Sequence, residues 1–398
     1  MEFRRPFPNS GVSVPANGFD YIIWGENPDS NGVYQTVYAK NGVTGEVEIS
    51  SGDAGDVLLH AIDNGKVIRI LSGKYESSKD ITLNTGNILV GDIGSTTIYG
   101  QVVLGESHNV LYGLSIVNKN YDKTGVGITV PDVSVASNYI FDMVDIAGFE
   151  KGIDVKASSF GDVYGTKLSI HNCKYGIMTN SAYTYFFNID RIYIFNCDDF
   201  GQISIQNSSI KTFNANNCPG IDRNSLAFAN STIDNIFLES NTNANLPRGG
   251  FGSCDGGTVN NLYITNKSTA LISPSTAKYL HIYVDDTSYL KTWGSVEVDL
   301  SHSDIVSVKS RIQATSGTPI IIGPSREGIA TFTGDGSTTS FTIAHGLVAT
   351  PSKYFVQPLN AASQGFSDVS ADSTDITITF SSAPASGTTL KFYWYAEV

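Results

Sequence analysis

Three carboxylates recur at places where a repeating chain would gather them on one surface. Asp190, Asp234 and Glu239 each lie in or just before an alternating apolar segment that closes on Asn or Ser. Paired carboxyl groups about 6.5–9.5 Å apart are what hydrolysis of a glycosidic bond with inversion requires. One protonates the leaving oxygen and the other activates water. Asp190 and Asp234 stand two repeats apart, so in a stack of strands ~4.8 Å apart their backbones would be ~10 Å from each other. Glu239 is an alternative acid. Against this stands an ordinary reading, in which Asp ahead of a strand is turn chemistry and Glu239 is a solvated strand residue.

A second set is aromatic. Tyr193, Phe195, Phe237, Tyr263 and Tyr283 fall at outward positions of successive or nearly successive repeats. Monomeric proteins seldom expose a contiguous apolar patch. The stripe is therefore either a platform on which sugar rings stack or a seam along which copies of the chain pack. Burial of several aromatics is the larger stabilising term and favours packing.

Other chemistries lack their residues. The outward columns scatter their carboxylates, with no oxygen cluster of the kind Ca²⁺ takes. The six histidines, His60, His108, His171, His281, His302 and His345, show no ligand spacing. Four cysteines, Cys173, Cys197, Cys218 and Cys254, form no C-x-x-C pair and fit no zinc pattern. No metal and no cofactor is expected, and no Ser, Cys or His arrangement marks a nucleophilic triad.

These residues are positioned by a repeat. Aligning the segments around Ile116, Ile146, Ile170, Ile194, Ala215, Leu238, Ile264 and Val284 gives steps of 20 to 30 residues. A period of that length without helical periodicity marks the turns of a β-solenoid, read here as one strand per turn. Two residues earlier every position is apolar: Leu114, Val144, Leu168, Ile192, Phe213, Ile236, Leu262 and Ile282. Side chains alternate faces along a strand, so both columns point inward. Two residues later stand Asn118, Gly148, Asn172, Asn196, Asn217, Ser240, Asn266 and Asp286, turn formers whose Asn side chains are expected buried and bonded from turn to turn. Cys173, Cys197 and Cys218 follow as a column of thiols.

The ends are legible too. Ala54, Val57, Leu58, Ala61 and Ile62 share a helical face, with Asp53 as N-cap and Gly65 as stop. Such a helix would cover the open end of the solenoid, whose unpaired edge would otherwise invite aggregation. Asn41-Gly42 signals a hairpin, and residues 1–20 read as an extended arm. The expected organisation is an arm and hairpin over 1–52, a parallel β-helix over 53–315, a Gly/Pro/Ser linker over 316–328 and a small β-sandwich domain over 329–398. In its closing strand Phe392, Trp394 and Ala396 share one face and Tyr393 and Tyr395 the other, so burial on both sides is expected.

Composition sets outer bounds. A net charge of −13 and a pI near 4.8 leave no basic stripe for nucleic acid and disfavour a polyanionic partner. No apolar run is long enough for a membrane span, and the N-terminal residues show no secretory signal.

The segment from Asp53 to Leu114, with Gly73-Lys74-Tyr75, Ile81-Thr82-Leu83 and Ile88-Leu89-Val90-Gly91, resembles the opening of pectate-lyase-like right-handed parallel β-helix proteins. Tail spikes of phages and archaeal viruses share that opening. Tyr38-Ala39-Lys40-Asn41-Gly42 is similar to the head of β-helix proteins of archaeal viruses and their hosts. Phe332-Thr333-Gly334-Asp335-Gly336, Phe341 to Gly346 and Tyr393-Trp394-Tyr395-Ala396 resemble a small domain that ends many viral tail-fibre and spike proteins. The resemblance implies an all-β virion surface protein, a homotrimeric spike or fibre made without a signal peptide in the host cytoplasm. Its N-terminal region would bind other virion proteins, and the particle would attach to a host-surface glycan or glycoprotein. The alternative it implies is a spike that depolymerises a surface polysaccharide through an Asp/Glu pair.

Overall fold

The computed structural model of the chain describes residues 18–134, 136–157, 159–179, 183–220, 225–241, 244–246, 257–272, 278–285, 287–293, 297–299, 312–316, 320–322, 325–347 and 350–397. Its regular structure is almost entirely strand, stacked in parallel through one long sheet that winds into a β-helix. Ile116 pairs with Ile146, Ile146 with Ile170, Ile170 with Ile194, Ile194 with Ala215, Ala215 with Leu238, Leu238 with Ile264 and Ile264 with Val284. Every step of the sequence alignment is thus a backbone pairing. The column is wholly buried, as is the one two residues earlier, and both belong to one continuous core. Apolar area removed from water at ~25 cal/mol per Å² is the main force that holds coil on coil.

Each turn of the solenoid carries more than one strand. In the first coil Val67–Ile70, Gly73–Glu76 and Ile81–Thr82 stack against Ile88–Val90, Thr96–Tyr99 and Val102–Val103 of the next. From Ser159–His171 onward the first two strands of each turn merge. The backbone explains the change. Three residues before the central Ile, Gly113 and Met143 take φ of 66° and 55°, which breaks the strand there. Lys167 and its successors at that position carry no positive φ, and the strand runs through.

The turn residues depart from expectation in one respect. Asn172, Asn196, Asn217 and Asn266 are half-exposed or exposed, not buried. All four have φ between 53° and 55°, the left-handed region that Asn tolerates better than most residues. Bonding from coil to coil persists: Asn217 donates to Asn196 at 2.9 Å and Asn266 to the Ser240 hydroxyl at 2.8 Å. Just past the turn Cys173, Cys197 and Cys218 are buried thiols outside any disulfide. Hydrogen bonding to Cys197 and burial push the Cys173 thiol far above its ordinary range. Cys254 lies outside the described residues. The column continues inward through Asn241, whose amide donates to the Ala215 carbonyl at 2.7 Å.

At the N-terminal end the helix Ala54–Asn64 forms as expected. Asp53 accepts from the Gly55 N–H, and the helix buries Val57, Leu58, Ala61 and Ile62 in the solenoid core. The strand Tyr21–Pro28, unassigned from sequence, pairs in parallel with Val67–Ile70 and antiparallel with Tyr34–Asn41. Residues 21–51 thereby share the core of the solenoid. The hairpin around Asn41 closes with its left-handed residue at Gly45 (φ 78°), not Gly42, because the Asn41 side chain accepts from Val43 and Thr44 and lengthens the turn. Tyr21 donates to Glu48 at 2.5 Å; burial first, then that hydrogen bond, raises its pKa to about 12.

The C-terminal module is a sandwich of two three-stranded antiparallel sheets. Ser325–Thr333 and Lys353–Pro358 flank Thr389–Glu397 in one, and Ser340–Ala344 and Phe366–Ala371 flank Asp375–Phe380 in the other. Its first strand starts at Ser325, inside the segment whose Gly/Pro/Ser content suggested a linker over 316–328. Gly328 is there because Trp394 lies across it, 3.0 Å from where a Cβ would sit. Phe392, Trp394 and Ala396 face the core, as the alternation implied. The opposite face is open: Tyr393 and Tyr395 flank Phe355, which is 48% exposed, and Ile329 beside them is 66% exposed. At the turn into Ser340–Ala344, Asp335 is held well below the usual carboxylate range by the Thr338 N–H, the Thr338 hydroxyl and the Ser337 N–H.

Candidate functional site: the outward face of the long strands

Five strands, ending at His171, Phe195, Asn216, Glu239 and Thr265, lie side by side and continue into Lys278–Val284. On each, residues immediately before and after the buried central position point outward. One column runs Asp145, Ser169, Tyr193, Asn214, Phe237, Tyr263, Tyr283, and the next runs His171, Phe195, Asn216, Glu239, Thr265. The five aromatics expected to form a stripe therefore share one face.

The stripe is two clusters. Phe237 and Tyr263 stack with centroids 4.6 Å apart and planes within 6°, and Tyr283, 47% exposed, follows at 6.2 Å. Asn214 separates them from Tyr193. At the other end Phe195 stacks on His171 at 4.7 Å, while His171 meets Asp145 at 3.1 Å. Apart from Tyr283, the rings are only half-exposed: stacked neighbours cover Phe195, Phe237 and Tyr263, and the Lys167 ammonium lies over Tyr193. Their remaining open surface is ring face and edge bordered by amides, the form that suits a flat hydroxylated ring.

The candidate carboxylates lie on the same face but not together. Four residues before the centre the chain turns a corner, and two consecutive residues point out. Ile189, Ile210, Ile233 and Val259 are buried, the next pairs Asp190-Arg191, Lys211-Thr212, Asp234-Asn235 and Asn260-Asn261 are not, and the following residue is buried again. Asp190 and Asp234 occupy this corner two coils apart, with Lys211 between them. Asp190 is paired to Lys211 at 2.9 Å and Asp234 accepts from Asn260 at 2.9 Å. Asn235 and Asn261 in turn donate to the carbonyls of Lys211 and Asp234. Glu239 is five residues further along its strand, ~16 Å from Asp234 at ~3.3 Å per residue, and accepts from Asn216 at 2.6 Å. Asp234 and Glu239 hold side-chain amides of neighbouring coils, and Asp190 holds the Lys211 ammonium. Glu239 cannot pair with either Asp across one glycosidic bond.

Sequence reasoning missed two features of this face. The loop 118–124 is tied down at both ends, Lys119 to Glu76 and Lys123 to Asp198, each at 2.6 Å. Val117 and Ala147, outward by alternation, are buried. The wide step from Ile116 to Ile146 was the only signal. The other is the pairing of His171 with Asp145, which are 26 residues apart but on adjacent coils. Among the described residues no group of three His, Cys, Asp or Glu side chains is placed to hold a metal ion, and no helix is long and apolar enough to cross a membrane.

Fold and face together define a parallel β-helix that carries an aromatic and amide surface along its shaft and a separate sandwich module at its end. Solved structures to which the chain is similar include phage tailspikes. The Gp54 tailspike of Acinetobacter baumannii bacteriophage AP22, solved in complex with A. baumannii capsular saccharide, aligns over 87% of this chain and 93% of its own at 10% identity and a TM-score of 0.36. The tailspike gp61 of Pseudomonas phage phi297 covers 86% and 91% at 8% identity and 0.31. The tailspike gp49 of A. baumannii bacteriophage Fri1, described as a capsular polysaccharide depolymerase, covers 86% and 82% at 10% and 0.29. Similarity at this level says nothing about ligands. No protein-family model and no curated protein sequence matches the chain.

Proposed function

We propose that the chain is a virion spike or fibre protein whose solenoid face binds a host-surface glycan. The observation that carries the glycan reading is the stacked Phe237–Tyr263 pair, continued by Tyr283 and bordered by Asn214 and the Asn216–Glu239 pair. Ring faces take the C–H faces of a sugar, and amide and carboxylate groups take its hydroxyls. The spike reading draws on the resemblance of the capping helix, first coils and terminal module to such proteins. In this reading the solenoid is the shaft, residues 1–52 meet other virion proteins, and the terminal module brings three copies together. The open face of Ile329, Phe355, Tyr393 and Tyr395 supports that last role, since closed rotational symmetry buries equivalent patches.

Attachment without cleavage is the reading the carboxylates support, because Asp190 and Asp234 each have a partner and Lys211 stands between them. Their ~10 Å separation nevertheless borders on the distance an inverting hydrolase uses. The deciding experiment measures binding and reducing-end release together on immobilised surface polysaccharides. Binding lost in Phe237→Ala, with no reducing ends released by the parent protein, is the expected result. Release abolished by Asp190→Asn or Asp234→Asn would make the protein a depolymerase. Full binding by Phe237→Ala would remove the stripe from the site.

A further inference from the structure

The corner of the solenoid that holds the candidate carboxylates also holds two neighbouring cations. Lys167 and Arg191 occupy the same position on adjacent coils and are register partners in the parallel ladder. Their backbones are therefore ~4.8 Å apart and their side chains leave the same face. Among the described residues neither is in an ion pair. Beside Arg191 in sequence, Asp190 is paired with Lys211 on the coil beyond; Asp142, on the coil before Lys167, accepts from the Thr166 N–H and hydroxyl, and Asp145 is paired with His171. Lys167 instead reaches along the shaft to place its ammonium over the Tyr193 ring, 5.6 Å from the centroid. Tyr193 is two residues after Arg191 on the same strand and the same face. An ammonium, a guanidinium and an aromatic ring thus border one patch, with Phe195 and His171 alongside.

Like charges directly opposite in a sheet are destabilising, and this protein has acidic side chains to spare. Net charge is a poor guide at such a spot, because charges beyond ~8 Å are largely screened at physiological salt. Resting on the glycan reading, we propose that Lys167 and Arg191 form a subsite for the carboxylate of an acidic sugar. The host glycan then carries a uronate-type residue, with its ring against Tyr193 and its carboxylate between the two cations. The guanidinium takes the carboxylate in bidentate fashion and the ammonium acts as a point charge. One carboxylate per repeat satisfies the patch, so a dense polyanion, which the overall charge of −13 repels, is not required.

The test uses the full chain and a panel of microbial surface polysaccharides, hexuronate-bearing and neutral. Each is immobilised natively and after reduction of its carboxyl groups to alcohols. Binding to uronate polymers should fall about tenfold or more on carboxyl reduction, and by a similar factor in Lys167→Gln/Arg191→Gln. The two losses should not add. Without ligand the double variant should melt close to the parent, because removing both like charges relieves their repulsion and offsets the lost Lys167–Tyr193 contact. A melting temperature lowered by several degrees, more than loss of the Tyr193 contact explains, would mean that the pair is neutralised within the fold and would overturn the subsite. Neutral polysaccharides bound equally by parent and double variant, but lost in Phe237→Ala, would overturn the acidic-sugar assignment and leave the glycan reading standing. No binding to any member of the panel would overturn both.

Discussion

Replacing Asn196 tests the register, the turn geometry and the energetics of the coil together. Asn196 has φ 55°, is exposed, and accepts one hydrogen bond from the Asn217 amide on the next coil. Valine has a branched Cβ that clashes with its own carbonyl in the left-handed region, at about 1–2 kcal/mol. Loss of the inter-coil hydrogen bond adds about 0.5–1.5 kcal/mol, nearer the lower value at an exposed site. Asn196→Val should therefore destabilise by about 2–3 kcal/mol, whereas Asn196→Gly loses only the hydrogen bond and should stay within about 1 kcal/mol of the parent. A solenoid opens coil by coil, so hydrogen exchange followed by mass spectrometry on peptides from 188–217 is the suitable assay. Exchange there should speed up about thirtyfold or more in the valine variant and by less than about tenfold in the glycine variant. Equal effects of valine and glycine would refute the backbone argument. A uniform effect along the whole shaft would refute its locality.

Three other outcomes follow. Asp53→Ala removes the N-cap of the covering helix together with its bonds to the Ser78 backbone and hydroxyl; it should cost about 1–2 kcal/mol and be read as faster exchange in residues 54–64. Asp335 has its folded pKa below its unfolded value, so its contribution is present above about pH 4 and is lost as pH falls through the folded value. The difference in melting temperature of the terminal module between parent and Asp335→Ala should therefore be largest above about pH 4 and shrink steadily as pH falls below it toward the folded value, and a difference constant with pH would contradict the assignment. Phe355→Asp places a charge in the open face of the module; light scattering should find smaller assemblies than the parent forms with unchanged circular dichroism, and a parent that is monomeric at micromolar concentration would remove the trimer altogether.

The sequence carried the register because an inward column must be apolar in every coil, and eight coils repeat the constraint. Where the physics was a single backbone torsion it left a weaker trace. Gly113 and Met143 break their strands and Lys167 does not, yet only the glycine announces the difference. The corner at Asp190-Arg191 and Asp234-Asn235 defeats simple alternation, since two polar residues in a row read equally well as a loop. Composition misled at 316–328, where the residues that suggested a linker include Gly328, present to admit an indole. The partners of Asp190, Asp234 and Glu239 come from neighbouring coils, 21 to 26 residues away. Nothing local encodes them, and they separate a plausible acid pair from a surface network.

The parallel pairing of coils has a consequence for how such a surface can change. Equivalent outward positions are held at ~4.8 Å by backbone hydrogen bonds, a spacing no side-chain substitution can alter. The shaft is in this sense a ruler with fixed graduations. A longer ligand is met by inserting a whole coil, and a chemically different one by rewriting a single mark, as Asn214 does between Tyr193 and Phe237. Because each coil contacts only its neighbours, either edit is felt locally and leaves the rest of the scale in place.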